Sequence, residues 1–309
     1  SRRSAIYASL NWKHSDVQDF LTCKNWDEMP VGKTGQTLAD IKTDDFNFPA
    51  PLDMTNISIN YDTDWLLNYY ETGDIGDVFR TNVRQALRNG EPGFSFNFFE
   101  KEQETLRNAC TEVTSSDDSD VCNLGSVNFA RIDSITELRD VIKLATKFLI
   151  CGTLKAKLPY GTSTGIEPIF AVAYKRRYLK NGNRWHYQYV VDAAAKEIIE
   201  TYGTDPDSIE SALDLAEDYE RRIKFQADVQ SYVDMSISST INLPEWGSKL
   251  NNEDMVDSFA ETLARYSGNL RGFTVYPNGS RGGQPLTKVS YNEAKDKLGE
   301  EFEESVETH

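Results

Sequence analysis

Cysteine is scarce in this chain of 309 residues: four in all, at positions 23, 110, 122 and 151. No two form a Cys-x-x-Cys pair, so neither a disulfide-stapled secreted scaffold nor a cysteine-built zinc site is expected, and no protein-bound metal. Long apolar runs are also missing. No stretch reaches the roughly eighteen residues that a membrane-spanning helix needs. Positive charge is in the minority: 33 Lys and Arg face 49 Asp and Glu, a net charge of −16. That argues against direct nucleic-acid binding, because a phosphate backbone is held by Lys and Arg. Small anionic nucleotides stay open, since a local pocket of backbone N–H groups holds them. The first residue is not Met, and Ser1-Arg2-Arg3 leads straight into a strand-like run, so it reads as neither a natural start nor a signal peptide.

What is present describes a soluble, cytoplasmic globular protein, with hydrophobic residues at 39% and charged residues at 27%. The length allows one large domain or two ordinary ones. Strand-like runs at 4–12, 54–59, 93–99, 127–132, 168–178, 238–243 and 273–276 alternate with helical periodicity at 16–23, 63–70, 77–88, 134–150, 190–202, 205–235 and 252–266. Alternation of this kind predicts an α/β fold with a largely parallel sheet. Between them, residues 25–51 read as a polar, turn-rich loop, and 300–307 as a solvated acidic tail. Cys23 and Cys151, each alone near apolar helix positions, read as small core residues. Asp117, Asp118 and Asp120 read as a solvated turn. Lys175-Arg176-Arg177 is the one basic cluster, facing either phosphates or solvent.

The stretch richest in chemistry is Asn108-Ala109-Cys110-Thr111-Glu112, followed by Cys122-Asn123-Leu124-Gly125-Ser126. If the first run is extended, Asn108, Cys110 and Glu112 point one way, because strand side chains repeat every second residue. An amide, a thiol and a carboxylate then face a single site, and a second cysteine follows twelve residues later.

This pattern resembles the active-site finger loop of the ribonucleotide reductase catalytic subunit, and the surrounding sequence looks most like the adenosylcobalamin-dependent, class II branch. Arg2-Arg3-Ser4-Ala5, Gly90-Glu91-Pro92-Gly93-Phe94, Gly165-Ile166-Glu167-Pro168-Ile169-Phe170, Ser239-Thr240-Ile241-Asn242-Leu243-Pro244 and Gly272-Phe273-Thr274-Val275-Tyr276-Pro277 fall in the family's order. The resemblance implies part of a ten-stranded α/β barrel, of the ribonucleotide reductase and glycyl radical enzyme type, with the finger loop through its centre. Residues 1–309 are then one incomplete catalytic barrel domain. The implied reaction is thiyl-radical reduction of ribonucleoside di- or triphosphates to 2′-deoxyribonucleotides for DNA synthesis.

By the same resemblance Cys110 carries the thiyl, Glu112 is the general base on the 3′-hydroxyl, and Asn108 orients substrate. Cys122 is one of the two thiols that close a redox disulfide, its partner lying outside the chain. Ala109 and Thr111 belong to the substrate surface. Ser163 and Thr164 are further candidates for substrate contact, as are Asn56 and Ser58, although the last two read equally well as polar strand-edge residues. The implied cofactor is adenosylcobalamin, and the implied reductant is a thioredoxin-like protein or another dithiol. The implied assembly is a homodimer or a complementing second chain. Family segments are missing before residue 1, between about 160 and 161, and after 309, where the family carries a recharging cysteine pair. Two alternatives follow: a reductase served by a separate radical-generating subunit, and a non-catalytic fragment that binds nucleotide or another chain.

Overall fold

Hydrophobic side chains at helical spacing in Asp77–Asn89 and alternating ones in Gly93–Phe96 organise the larger part of the molecule. Phe79, Val83, Ala86 and Leu87 form the buried stripe of the helix, and Gly90 ends it in the left-handed conformation, φ 78°, that a residue without Cβ adopts at no steric cost. The computed structural model describes residues 6–33, 35–45, 47–116, 127, 132–156, 164–165, 168–180, 184–280 and 285–304.

In chain order the elements are β1 (Ile6–Asn11), α1 (Val17–Thr22), α2 (Leu38–Asp44), β2 (Thr55–Tyr61), α3 (Thr63–Thr72), α4 (Asp77–Asn89) and β3 (Gly93–Phe96). There follow β4 (Leu106–Arg107), β5 (Thr114–Ser115), α5 (Ile135–Ala156), β6 (Thr164–Gly165), β7 (Ala173–Lys180), β8 (Arg184–Val191) and α6 (Ala193–Tyr202). The chain continues with α7 (Tyr219–Gln230), β9 (Ile237–Ser238), β10 (Thr240–Leu243), α8 (Val256–Ser267), β11 (Gly272–Pro277), β12 (Leu286–Lys288), α9 (Tyr291–Asp296) and β13 (Glu301–Glu303). Residues 1–309, read above as one domain, cluster into two compact units: Ser1–Glu167 with Ala216–Gly282, and Pro168–Leu215 with Gly283–His309.

The first unit is built on a five-stranded sheet in the order β1-β2-β3-β11-β10. It is parallel from β1 to β3, antiparallel at the β3–β11 seam, and parallel again between β11 and β10. The core is aromatic. Tyr61, Trp65, Phe79, Phe94 and Phe96 pack with ring centroids 4.7–6.2 Å apart. Tyr61 donates its hydroxyl to Asn82 Oδ1 at 2.9 Å, and burial raises its pKa far above the ordinary phenol value. The second unit is a four-stranded sheet, β12-β7-β8-β13, antiparallel throughout.

The α/β class is therefore as expected, but the largely parallel sheet holds only in the first unit, since the second sheet is antiparallel throughout. A closed ten-stranded barrel is not among the sheets of the described residues, which have five, four, two and two strands. Other expectations give way to local chemistry. The expected helix at 190–202 begins later, because Arg184–Val191 is an aromatic and β-branched strand. Asp192 then caps α6 by accepting from Ala194 N at 2.9 Å and Ala195 N at 3.1 Å. The expected helix 205–235 is two short 3-10 turns and then α7. The loop 25–51 contains α2, closed by a Thr37–Asp40 capping box. Within the expected acidic tail, Glu301–Glu303 pair as β13, with Glu301 and Glu303 still exposed. Cys151 is exposed and Cys23 half-buried, so neither is a core residue. The expected strand 127–132 and Asp117, Asp118 and Asp120 lie outside the described residues.

Candidate active site

Residues 108–113 form the tip of a hairpin, where an extended strand is expected from the sequence. Its legs are the short strands β4 and β5, paired Leu106 with Ser115 and Arg107 with Thr114. A turn closes the tip: Thr111 N donates to the Asn108 carbonyl at 3.0 Å, and Thr111 sits at φ 68°. The Asn108 side chain stabilises the same turn by accepting from Val113 N at 3.1 Å. Strand alternation therefore does not apply here, and the three polar side chains part company. Cys110 is exposed, whereas Glu112 is 6% exposed. Glu112 Oε2 is buried without a hydrogen-bond partner among the described residues.

The tip lies on a cleft of about 190 Å³. Ala109, Cys110 and Thr111 form one wall, facing Asn56 and Ser58 of β2. Ser238, Thr240, Thr274 and Tyr276 line the rest, from β9, β10 and β11, together with Glu91. Asn108 and Glu112 are not among the lining residues. The cleft thus draws together Ala109, Cys110, Thr111, Asn56 and Ser58 of the expected set. Of its further polar residues, Glu91, Thr240, Thr274 and Tyr276 lie in segments that carry the family resemblance and Ser238 directly precedes one, and spacing alone did not mark them as site residues.

Three features seat the hairpin. Asn56 Nδ2 donates to the Ala109 carbonyl. On the other side of the cysteine, Arg107 Nη1 donates to the Thr111 carbonyl at 3.2 Å, while its Nη2 donates to Asn97 Oδ1 at 2.8 Å. Burial, with a smaller contribution from the neighbouring Arg271 charge, lowers the Arg107 pKa to about 10, so the guanidinium stays charged at neutral pH. Third, Gly272 lets β11 pass close behind the turn. A Cβ there would lie 2.6 Å from Ser236 Oγ and 3.1 Å from Thr111 Oγ1.

Glu91 anchors the opposite wall. Its Oε1 accepts from Ile57 N at 3.1 Å, and its Oε2 accepts from Lys24 Nζ at 2.6 Å, a pair in which Glu91 is buried and Lys24 partly so. Thr164 belongs to β6, which pairs in parallel with β9 next to the cleft residue Ser238. Cys122 and Ser163 lie outside the described residues. Among the described residues no helix is long and apolar enough to cross a membrane, and no group of three or more His, Cys, Asp or Glu is arranged to hold a metal ion.

No protein-family model matches the sequence. Over 147 residues, 42% of this chain, it is 26% identical to the vitamin B12-dependent ribonucleoside-diphosphate reductase of Mycobacterium tuberculosis (strain CDC 1551 / Oshkosh), covering 20% of that protein. Against the protein of the same name from strain ATCC 25618 / H37Rv the identity is 27% over 144 residues, 41% of this chain and 20% of the relative. The matched stretch thus spans about one fifth of these curated relatives. In structure, the chain is similar to a B-12 dependent (class II) ribonucleotide reductase, with a TM-score of 0.56 and 10% identity, over 94% of this chain and 53% of that one. It is also similar to the class Id ribonucleotide reductase alpha subunit of Actinobacillus ureae, with a TM-score of 0.50 and 12% identity, over 88% and 70% of the two chains. The resemblance to ribonucleotide reductase catalytic subunits carried by the motifs is thus found again in sequence relatives, and the fold is shared with solved reductases.

Proposed function

We propose that this chain is the catalytic portion of a ribonucleotide reductase, which replaces a ribose 2′-hydroxyl by hydrogen through a thiyl radical on Cys110. One observation carries this reading. On a single turn, an exposed thiol stands at a polar cleft, and two residues further on a buried carboxylate keeps one oxygen without a donor among the described residues.

The chemistry asks for both groups. Neither the C2′–O bond nor the neighbouring C3′–H bond is activated in the substrate. The Cys110 thiyl takes the 3′-hydrogen atom. Glu112 accepts the 3′-hydroxyl proton, for which the turn must bring its open oxygen to the substrate. The 2′-hydroxyl then leaves as water with a proton supplied by a thiol. Two thiols, Cys122 and one from outside this chain, give up two electrons and close a disulfide; one of their hydrogens leaves in the water and the other goes to C2′, Glu112 returns its proton to the 3′-oxygen, and the hydrogen atom returns to C3′ from Cys110. A thioredoxin-like protein or another dithiol restores the pair. Ser58, Ser238, Thr240 and Thr274 supply hydroxyls for the substrate. Asn108 serves the turn with its Oδ1, so its part is first to hold Glu112 and Cys110 in register.

Radical chemistry needs a source. When bound, adenosylcobalamin supplies the oxidant that removes a hydrogen atom from a thiol. The exposed Cys110 fits a source outside the protein core, and Tyr276 is a cleft side chain not given to substrate that would meet such a group. The names of the sequence relatives, vitamin B12-dependent diphosphate reductases, support this source and a diphosphate substrate. A second reading, a separate radical-generating subunit, is favoured by Tyr276, an oxidisable phenol on the same cleft as Cys110.

The test is anaerobic deoxynucleotide formation from mixed ribonucleotides with adenosylcobalamin and dithiothreitol, with a complementing chain added where the protein alone is inactive. Product that depends on cobalamin and vanishes in Cys110→Ala is the expected result. Turnover retained in the folded Cys110→Ala protein overturns the assignment. Cobalamin-independent product with the wild type moves the second reading to first place.

A further inference from the structure

We infer that Asn56 and Arg107 act as a two-sided clamp on the backbone that carries Cys110, and are positioning residues for its thiol. The inference rests on the reading of Cys110 as the reacting sulfur, and adds residues that the motif itself does not reveal.

The geometry is a pair of opposed anchors. The carbonyl before Cys110, that of Ala109, is held by Asn56 Nδ2 from β2. The carbonyl after the next peptide, that of Thr111, is held by Arg107 Nη1 from β4. Between them the turn is closed on itself by Thr111 N to Asn108 O, and Thr111 occupies the left-handed region that a branched residue adopts only under constraint. Each anchor is itself fixed. Arg107 is braced by Asn97 Oδ1, and Asn97, 1% exposed, in turn donates to Ser95 Oγ at 3.0 Å. The strand position next to Asn56 is held by Glu91, which accepts from Ile57 N and is paired with Lys24. Both anchors thus lead back to the five-stranded sheet, so the sulfur is located by the rigid part of the unit even though it sits on a hairpin with short legs.

A radical transfer demands this. A hydrogen atom moves only between centres held at contact distance, and a displacement on the order of 1 Å costs about a hundredfold in rate. A turn held only by its own hydrogen bonds would let the thiol wander by that much.

The test uses the full chain and does not depend on turnover alone. Asn56→Asp keeps the shape but replaces the donor by an acceptor facing the Ala109 carbonyl. Arg107→Met removes the second donor, and Arg107→Lys is the fallback if the methionine variant fails to fold. The backbone amides of Thr111 and Val113 report the turn by hydrogen exchange. Each variant is expected to speed their exchange about fivefold, the ratio for one ordinary hydrogen bond lost, with the amides of Ile57 and Ile59 unchanged. In the reductase assay kcat falls in both, and in the Arg107 variants, whose side chain does not line the cleft, KM for the ribonucleotide is unmoved. Unchanged exchange at Thr111 and Val113 in either folded variant overturns the clamp, as does faster exchange with unaltered kcat. If the wild-type protein makes no deoxynucleotide even with a complementing chain added, while both variants loosen the turn, the clamp stands as geometry and the reductase reading fails in its place.

Discussion

The two compact units are held together by different physics. The first buries a continuous apolar core in which Ile59, Phe79, Val83, Leu87, Leu243, Phe259 and Leu263 are completely inaccessible. In the second, among the described residues, Ala173, Tyr189 and Ala294 form a small buried cluster, with Tyr187, Val191, Val289 and Phe302 packed partly against it. This unit compensates with charge. Arg177 pairs with Glu304 at 2.9 Å, Lys180 with Glu301 at 2.7 Å and Arg184 with Glu303 at 3.1 Å. Cations also lie over rings: Arg177 over Trp185 at 4.0 Å, Lys175 over Tyr187 and Lys297 over Tyr189, both at 4.7 Å. Pairs of this kind near solvent each contribute little. The lesson is that the unit bearing the candidate site has rigidity to spare, which a strained, partly unsatisfied turn requires, while the other is tuned by ionic conditions.

The largest effect is expected from cutting into the first core. Phe94→Ala removes a completely buried ring that contacts Tyr61, Phe79, Phe96 and Phe273. Denaturant unfolding should show a loss of about 3–5 kcal/mol. A loss below ~1 kcal/mol would mean that the aromatic cluster does not dominate that unit.

A middle-sized effect belongs to Gly272→Ala. The added methyl meets Ser236 Oγ and Thr111 Oγ1, neither of which lies at the end of a long side chain. Overpacking of this sort destabilises by about 1–3 kcal/mol, and here it should also push the Cys110 turn outward. Faster hydrogen exchange at Thr111 with β2 unaffected is the expected signature, and wild-type exchange there would show that β11 yields instead.

The smallest effect sharpens the contrast itself. Glu301 has its pKa lowered, first by its hydrogen bond with Lys180. A depressed carboxylate contributes stability that is complete above its unfolded pKa, about 4.3, and is lost as pH falls through the folded value. Exchange protection in β8 and β13, corrected for intrinsic rates, should therefore fall as pH drops below about 4.3, and also with added salt. β2 and β3 should hold. Glu301→Gln should remove most of that pH response. Equal acid sensitivity in the two units would break the comparison.

Much of the first unit is legible in its residues alone. Asp77–Asn89 declares its helix by apolar spacing and its end by Gly90, and Gly93–Phe96 declares its strand by alternation. The order of the motifs carries the family resemblance, and the cysteine that reaches the cleft is the one the pentapeptide marks. What fails are assignments resting on an assumed backbone. Period-two alternation puts Asn108, Cys110 and Glu112 on one face, but a turn at Thr111 separates an exposed thiol from a buried carboxylate. The acidic run near the end reads as solvated because its partners, Lys180 and Arg184, lie more than a hundred positions away in sequence.

The sequence by itself therefore determined the identity of the elements and the presence of the reactive groups, because propensity, capping and hydrophobic period act over a few neighbouring residues. Only the tertiary structure decided which groups meet. Asn56 reaches the Ala109 carbonyl across 53 positions, and Gly272 makes room for Thr111 from a strand far along the chain. Contacts of that range are set by strand order and close packing, and neither leaves a local period to read.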